Sequence, residues 1–546
     1  MGSSSSIMRP EELIEFRKLN TSIENVEVPA RPENRSVTDK TGFLIFGISI
    51  LILIPFLAYT LVNVDFRHMS YETDNCGNFC GLRNPLIQGV PCSGKDFTMR
   101  RELDAKGECD YFNTEKLFGQ MYRTFEEDNP FEDDFDTSTQ NGSVWWRLVS
   151  AIFITTALGI LTLVLLRFAP APFVWGILIF SILVLLGTTG LLWTSYFQGK
   201  DVFDERSISL APVLAWTIFA VTILIIFMVI FKRIGLVIQL YKETTKVLAA
   251  MPLVVFFPIF IAFIQMIVFM AVIVTTICIW NFKELTKRDE NVYKYELSGV
   301  AILTIVFNIF VATWAMRFVS GVQSMTIAGG VARWYFSKNK DHVNSPVWSS
   351  FKVTLKYHLG TIAFGSLLMT LFAVVKMFLK LCCRNSCCKC CEKFCCNQAE
   401  VLLKFLSGNS YILTAIHGQS FLRSARRATK LVLTNIGNIV AINCVGDFIL
   451  AVIIIVLSVL ATAISFALFK DTGPVGTKTA IGCFFINTVI IYVIFGTFQT
   501  IIDSLFICFC EDSVMNDGIS RPYYMSRGLK EFMENSKKEQ ERHTRQ

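Results

Sequence analysis

Mostly apolar runs recur along the chain at 42–63, 147–167, 172–197, 210–231, 248–281, 297–316, 318–336, 357–378, 436–468 and 479–510. Each supplies at least about the 20 residues an α-helix needs to cross roughly 30 Å of hydrocarbon, and the pattern predicts ten crossings. The weak point is 297–336, where two crossings require a tight turn at 317–321, and one long helix broken near Gly321 is the competing reading. No alternating pattern of consequence predicts strands.

Composition agrees with the pattern. Hydrophobic residues make up 53% of the 546 positions, phenylalanine alone fills 48, and the mean hydropathy is +0.49, which no soluble domain of ordinary make-up approaches. The fold class is therefore all-α, a polytopic integral membrane protein. The formal net charge of +7 reads as loop charge that sets orientation, not as affinity for nucleic acid.

One long polar stretch, 64–146, follows the first run. It carries Cys76, Cys80, Cys92 and Cys109, and the acceptor-type triplet Asn141-Gly142-Ser143. Disulfides and glycosylation belong to the oxidising side, so this loop is expected outside with two disulfides, their pairing open among three. Such triplets also arise by chance, and this one lies close to a span. The resulting organisation is a cytosolic tail at 1–41, a first helix at 42–63, the disulfide loop at 64–146, a core at 147–380, a cytosolic cysteine-rich and basic segment at 381–435, a second core part at 436–510 and a cytosolic tail at 511–546. Ten crossings put Lys232, Arg233, Lys242, Lys246, Arg423, Arg426, Arg427 and Lys430 inside, as basic loops require. They leave Lys338, Lys340, Lys352 and Lys356 outside, against that rule.

The segment LCCRNSCCKCCEKFCC, 381–396, packs eight cysteines among basic residues. A zinc centre is one reading, but adjacent thiolates without histidine suit one tetrahedral ion poorly. Inert membrane-edge cysteines are another. Reversible palmitoylation, with Cys382, Cys383, Cys387 and Cys388 as acceptors, fits the basic neighbours and a reducing face best. At the start, MGSSSS matches an N-myristoylation pattern at Gly2; a serine-rich unstructured start, or an expression tag, is the alternative. The acidic string FEEDNPFEDDFD, 125–136, reads first as a solvated loop and second as a concentrator of cations outside.

Several motifs in order carry a resemblance. CFCEDSVMNDGISRPYYMSRGLKEF at 508–532, DNCGNFCG at 74–81, KYHLGTIAFGS at 356–366, and CCEKFCCNQAEVLLKFLSGNSYILTAIHGQSFLRSA at 390–425 resemble elements of the choline transporter-like family of solute carriers. Thr361 and Ser410 depart from the family's usual Ser and Ala. The resemblance implies carriage of choline, and of ethanolamine or a related organic cation, in the plasma membrane or internal membranes.

The residues must be able to do this. A quaternary ammonium cannot donate a hydrogen bond, so its site needs aromatic faces and a nearby carboxylate. Ionisable groups inside apolar runs point to a pathway. Asp503, flanked by uncharged residues in the last run, is the first candidate, and Asp447 the second. Trp314 and Tyr492 are the preferred aromatic walls, and Trp280, Trp334, Tyr335 and Tyr411 are further ones. Gln323, among small residues, is a cavity-lining candidate, and Gly329 and Gly330 mark a place for unwound backbone. For each, packing or an interhelical hydrogen bond is the plainer alternative. The five histidines form no metal or acyltransferase pattern, and no phosphate loop follows a strand, so an enzyme is not expected, nor a cofactor. The expected partners are the organic cation and membrane lipid. A non-transporting membrane scaffold is the competing function.

Overall fold

The computed structural model describes residues 35–100, 102–103, 107–110, 133–198, 210–231, 234–289, 292–340, 343, 345–382, 396–435, 442–469, 474–516, 521–531 and 533–534. Where the backbone must cross lipid, only a structure that satisfies its own N–H and C=O groups is stable, and the apolar runs accordingly form helices. The described helices are α1 (Lys40–Asn63), α2 (Arg67–Ser70), α3 (Asp133–Phe168), α4 (Pro170–Gln198), α5 (Leu210–Ile230), α6 (Ile234–Ala250), α7 (Leu253–Trp280), α8 (Gly299–Tyr335), α9 (Pro346–Tyr357), α10 (Leu359–Cys382), α11 (Asn397–His417), α12 (Phe421–Thr434), α13 (Asp447–Phe469) and α14 (Pro474–Met515). Short strands β1 (Glu102–Leu103) and β2 (Cys109–Asp110) pair in the disulfide loop, and β3 (Lys283–Asp289) and β4 (Val292–Leu297) form a hairpin between α7 and α8.

Nine of the described helices are long and apolar enough to cross a membrane: α1, α3, α4, α5, α7, α8, α10, α13 and α14. The expected division of 297–336 into two crossings is corrected here, because α8 is one continuous helix of 37 residues. Its glycines serve packing and do not break it. A Cβ at Gly321 would stand 2.6 Å from Ile362 Cγ2, and one at Gly329 would collide with Ser350 Oγ. Glycine there lets α10 and α9 close onto α8.

The missing crossing lies elsewhere. α10 begins beside the start of α1 and runs antiparallel to α8: Gly321 meets Ile362, and Trp314 Nε1 donates to Ala363 O and Ser366 Oγ at 3.1 Å each. α11 then returns along α10, with Lys376 Nζ 2.5 Å from Glu400 Oε2 and Tyr411 OH 3.4 Å from Ile362 O. Residues 397–417, expected in a cytosolic segment, are thus a helix of the bundle. Its polar content, Glu400, Lys404, Asn409 and several hydroxyls, kept it out of the apolar runs. With α11 counted, both the start of α1 and the end of α14 lie at one end, called here the tail end.

Two consequences follow. Lys338, Lys340, Lys352 and Lys356 come after α8 at the tail end, with the other basic loops, which removes the conflict with the positive-inside rule. The junction between α10 and α11, by contrast, opens at the far end. Cys382 and Cys396 flank it there, on the side of the disulfide loop instead of the tails. The rest of the cysteine run, with Cys383, Cys387 and Cys388, lies outside the described residues, as do Gly2 and most of the acidic string.

At the far end the disulfides are Cys76–Cys92 and Cys80–Cys109. The motif around them folds on itself: Asp74 Oδ1 accepts the Cys76 and Asn78 amides at 2.9 and 2.7 Å, and Gly77 takes φ +78°, which favours glycine. The lobe seats on the β3–β4 hairpin through Tyr293 N donating to Asn75 O at 2.7 Å and Tyr295 OH to Gly77 O at 3.3 Å. Asn141 falls in the first part of α3, on the same side.

At the tail end three short helices with mixed polar and apolar faces, α6, α9 and α12, brace the long ones. Segment 35–39 lies across the adjoining ends of α9, α10, α11 and α12. Arg35 Nη1 donates to His358 Nε2 at 3.0 Å and Nη2 to Ala415 O at 2.6 Å, while Asp39 Oδ2 accepts from Thr361 Oγ1 and the Phe421 amide at 2.7 and 2.8 Å.

Candidate functional site

The two intramembrane carboxylates come together. Asp447 opens α13, immediately after a short π-helix (Ile442–Gly446), and Asp503 lies on α14, which packs antiparallel along it. Gln499 Nε2, four residues before Asp503 and therefore on the same face, donates to Asp447 Oδ1 at 2.8 Å. Gln499 thus links Asp447 to the face of α14 that carries Asp503. Asp503 makes no hydrogen bond or ion pair with another described residue.

Aromatic groups back the pair. Tyr241 is fully buried, its OH donates to Gly446 O at 2.8 Å, and its ring meets Phe498 edge-on with centroids 5.3 Å apart. The π-helical turn explains that bond, since the wider winding leaves carbonyls to be satisfied from outside, and such turns recur at functional sites. Phe498 in turn meets Phe495 at 6.3 Å.

The face of α14 that carries Asp503 becomes progressively more buried toward the tail end. Along one face of α14, Tyr492 is exposed, Gly496, Gln499, Thr500 and Asp503 are half-buried, and Ile507 is buried. A Cβ built at Gly496, or at Gly408 of α11, meets nothing within 4 Å. Below Asp503 every residue from Ser504 to Asp512 is buried. There Arg427 Nε and Nη2 bind Glu511 at 2.5 and 2.6 Å, with His417 Nε2 3.3 Å from the same carboxylate. Asp512 Oδ2 accepts from Tyr335 OH and from the Tyr524 and Met525 amides at 3.0, 2.9 and 2.8 Å. The Glu-Asp and Tyr-Tyr-Met parts of the C-terminal motif are therefore the seal of the tail end.

Three sequence candidates are placed away from the carboxylates. Trp314 is buried between Phe46 and α10, with its indole N–H committed to Ala363 and Ser366. Tyr492 is 65% exposed, up the same face as Asp503 but not beside it. Gln323 shares a helical face with Met316 and Ser320, both of which bond Gln265 of α7, so it lies on the α7 side of α8. Gly329 and Gly330 stand in unbroken helix, where neither supplies unwound backbone. Tyr335 and Tyr411 are buried and bonded within the protein, Trp334 is buried beneath Lys340, and Trp280 is exposed at the end of α7.

Sequence reasoning missed Tyr241, Phe498 and Gln499. The i, i+4 spacing of Gln499 and Asp503 was legible; Tyr241 was not, because α6 reads as a basic surface helix. Among the described residues no cluster of three or more histidine, cysteine or acidic side chains is arranged to hold a metal ion.

The profile of the family described as "Plasma-membrane choline transporter" matches residues 214–514. The chain is 25% identical to choline transporter-like protein 1 of Mus musculus over 611 aligned positions, covering 93% of each chain. It is 29% identical to choline transporter-like protein 2 of Dictyostelium discoideum, over 71% of this chain and 66% of that one. With choline transporter-like protein 3 of Homo sapiens the identity is 24%, over 92% of each.

Proposed function

This chain belongs to the plasma-membrane choline transporter family, and from that premise we propose that it carries choline across the membrane and binds it at Asp447 and Asp503. The observation that carries the site is the Asp503 carboxylate, without a hydrogen-bond partner among the described residues, one helical turn from Gln499, which bonds the second carboxylate, Asp447, on a face of α14 that becomes buried toward the tail end. Two like charges in a low-dielectric interior repel, and a small organic cation between them relieves that repulsion. Choline brings a charge that cannot be hydrogen-bonded, so its methyl groups need apolar and aromatic walls; Phe495, Phe498 and Tyr241 are the nearest rings. The tail-end seal below and the open face above fit a carrier resting with its site toward the disulfide side. Ethanolamine and related amines fit the same charges, and the carrier reading requires no cofactor.

The test is uptake of radiolabelled choline by purified protein in liposomes. Asp503→Asn keeps the shape and removes the charge, and uptake is expected to fall about tenfold or more, equivalent to roughly 1.4 kcal/mol of lost cation stabilisation. Tyr492→Ala, on the exposed part of the face, is expected to leave uptake unchanged. Normal uptake by Asp503→Asn and by Asp447→Asn would put the site elsewhere. No uptake by the unmodified protein under any gradient would favour a scaffold that does not transport.

A further inference from the structure

We propose that Asn409 recognises the hydroxyl group of the substrate whose ammonium group sits at Asp503, an inference that rests on the carrier reading above. Asn409 lies on α11, is 5% exposed, and its Nδ2 has no hydrogen-bond partner. A buried amide donor left unpaired is costly, so in a working protein it asks for an explanation, and a transient ligand is one. Ser407 Oγ is also unpartnered, but a short hydroxyl can turn to a carbonyl of its own helix, an option the Asn amide lacks. Nearby Ser410 and Thr414 are satisfied, by Leu406 O at 2.6 Å and Ser424 Oγ at 2.9 Å.

The placement ties this amide to the carboxylates. α11 and α14 both run toward the tail end and meet where His417 lies 3.3 Å from Glu511. Asn409 precedes His417, and Asp503 precedes Glu511, by the same number of residues, about 12 Å of helix in each case. The two side chains therefore stand at one depth on neighbouring helices, whose axes pack about 8–10 Å apart. Gly408, next to Asn409, leaves room beside it.

A molecule with a cation at one end and a hydroxyl at the other has the chemistry to bridge such a pair. The carboxylate holds the ammonium through charge, and the amide donates to, and accepts from, the hydroxyl. A ligand without the hydroxyl leaves Nδ2 unpaired, which is the kind of penalty from which discrimination arises.

The experiment compares choline with n-propyltrimethylammonium, in which a methyl group replaces the hydroxyl. Affinities are read from ligand-dependent shifts in melting temperature of the purified full chain. The unmodified protein is expected to bind choline at least about tenfold more tightly than the analogue. In Asn409→Leu, choline affinity should drop to that of the analogue, while the analogue's own affinity stays the same. A merely structural role would not move the ratio. If Asn409→Leu does not fold, judged by its melting temperature without ligand, Asn409→Ser gives the same readout with a hydroxyl too short to bridge. A variant that keeps the choline preference, or weakens both ligands equally, overturns the assignment and leaves the carrier reading standing. If the unmodified protein binds neither ligand, both fall.

Discussion

Arg427 holds Glu511 with two parallel hydrogen bonds, Nε to Oε1 at 2.5 Å and Nη2 to Oε2 at 2.6 Å, and both side chains are buried. The pair joins α12 to the end of α14 and forms the innermost part of the tail-end seal. A buried ion pair is weakened far more by losing one partner than by losing both, because the survivor is left charged and dry.

Arg427→Met is therefore expected to destabilise the protein by about 3–5 kcal/mol, and the double variant with Glu511→Leu to recover most of that loss. Melting temperatures in detergent decide it. Equal loss in the single and double variants would mean that the pair contributes through attraction alone.

Gly360 seats the segment before α1. A Cβ there would collide with the carbonyl oxygens of Thr38 and Asp39. Gly360→Ala should displace the segment and cost about 1–3 kcal/mol, seen as a lower melting temperature and faster proteolysis near Arg35. Gly47→Ala, where a Cβ meets nothing within 4 Å, is the control and should be neutral or slightly stabilising.

His358 lies between α9 and α10, accepts at Nε2 from Arg35 and donates from Nδ1 to Thr38 Oγ1 at 3.0 Å. Burial first, and the Arg35 guanidinium second, push its pKa down from 6.5 to about 3. The unfolded chain then binds the proton more readily than the folded one. The neutral ring costs nothing above about pH 6.5, and stability is lost progressively as pH falls from there toward about 3. At pH 5 the loss is on the order of 2 kcal/mol. Melting temperatures at pH 7.5 and pH 5 should separate, and His358→Gln should narrow the gap; an unchanged gap would clear His358 of the effect.

The helix directions place the start of α11 at the disulfide end. An epitope inserted before Asn397 should be reached by antibody on intact cells together with the 64–110 loop, while tags at both termini stay hidden. A hidden epitope at 396–397 would mean that α10 and α11 do not cross.

Much of the fold was legible because lipid imposes one rule, that a spanning backbone must be helical, and twenty apolar residues announce it. α1, α3, α4, α5, α7, α13 and α14 follow that rule and match their runs. α8 and α11 escaped for opposite reasons. α8 carries Arg317 and several small residues, which in one dimension look like a turn and in three are contact points for α9, α10 and α11. α11 is too polar to read as a span, and Ser407, Asn409, Ser410 and Thr414 are accommodated because they face protein and not lipid.

The site divides in the same way. Asp503 and Asp447 stand out in the sequence because a carboxylate in an apolar run is costly wherever it ends up. Trp314 and Tyr492 were chosen by residue type, and type cannot say whether an indole N–H is already bonded to Ala363 and Ser366 or a ring points away from the charge. The sequence by itself determined that this is a membrane protein of many helices, with a disulfide loop at one end and charged groups within its spans. Only the tertiary structure decided which helix returns beside α10, which carboxylates meet, and that Tyr241 of a surface-like helix reaches Gly446, because these depend on contacts between segments far apart in the chain, to which local hydropathy is blind.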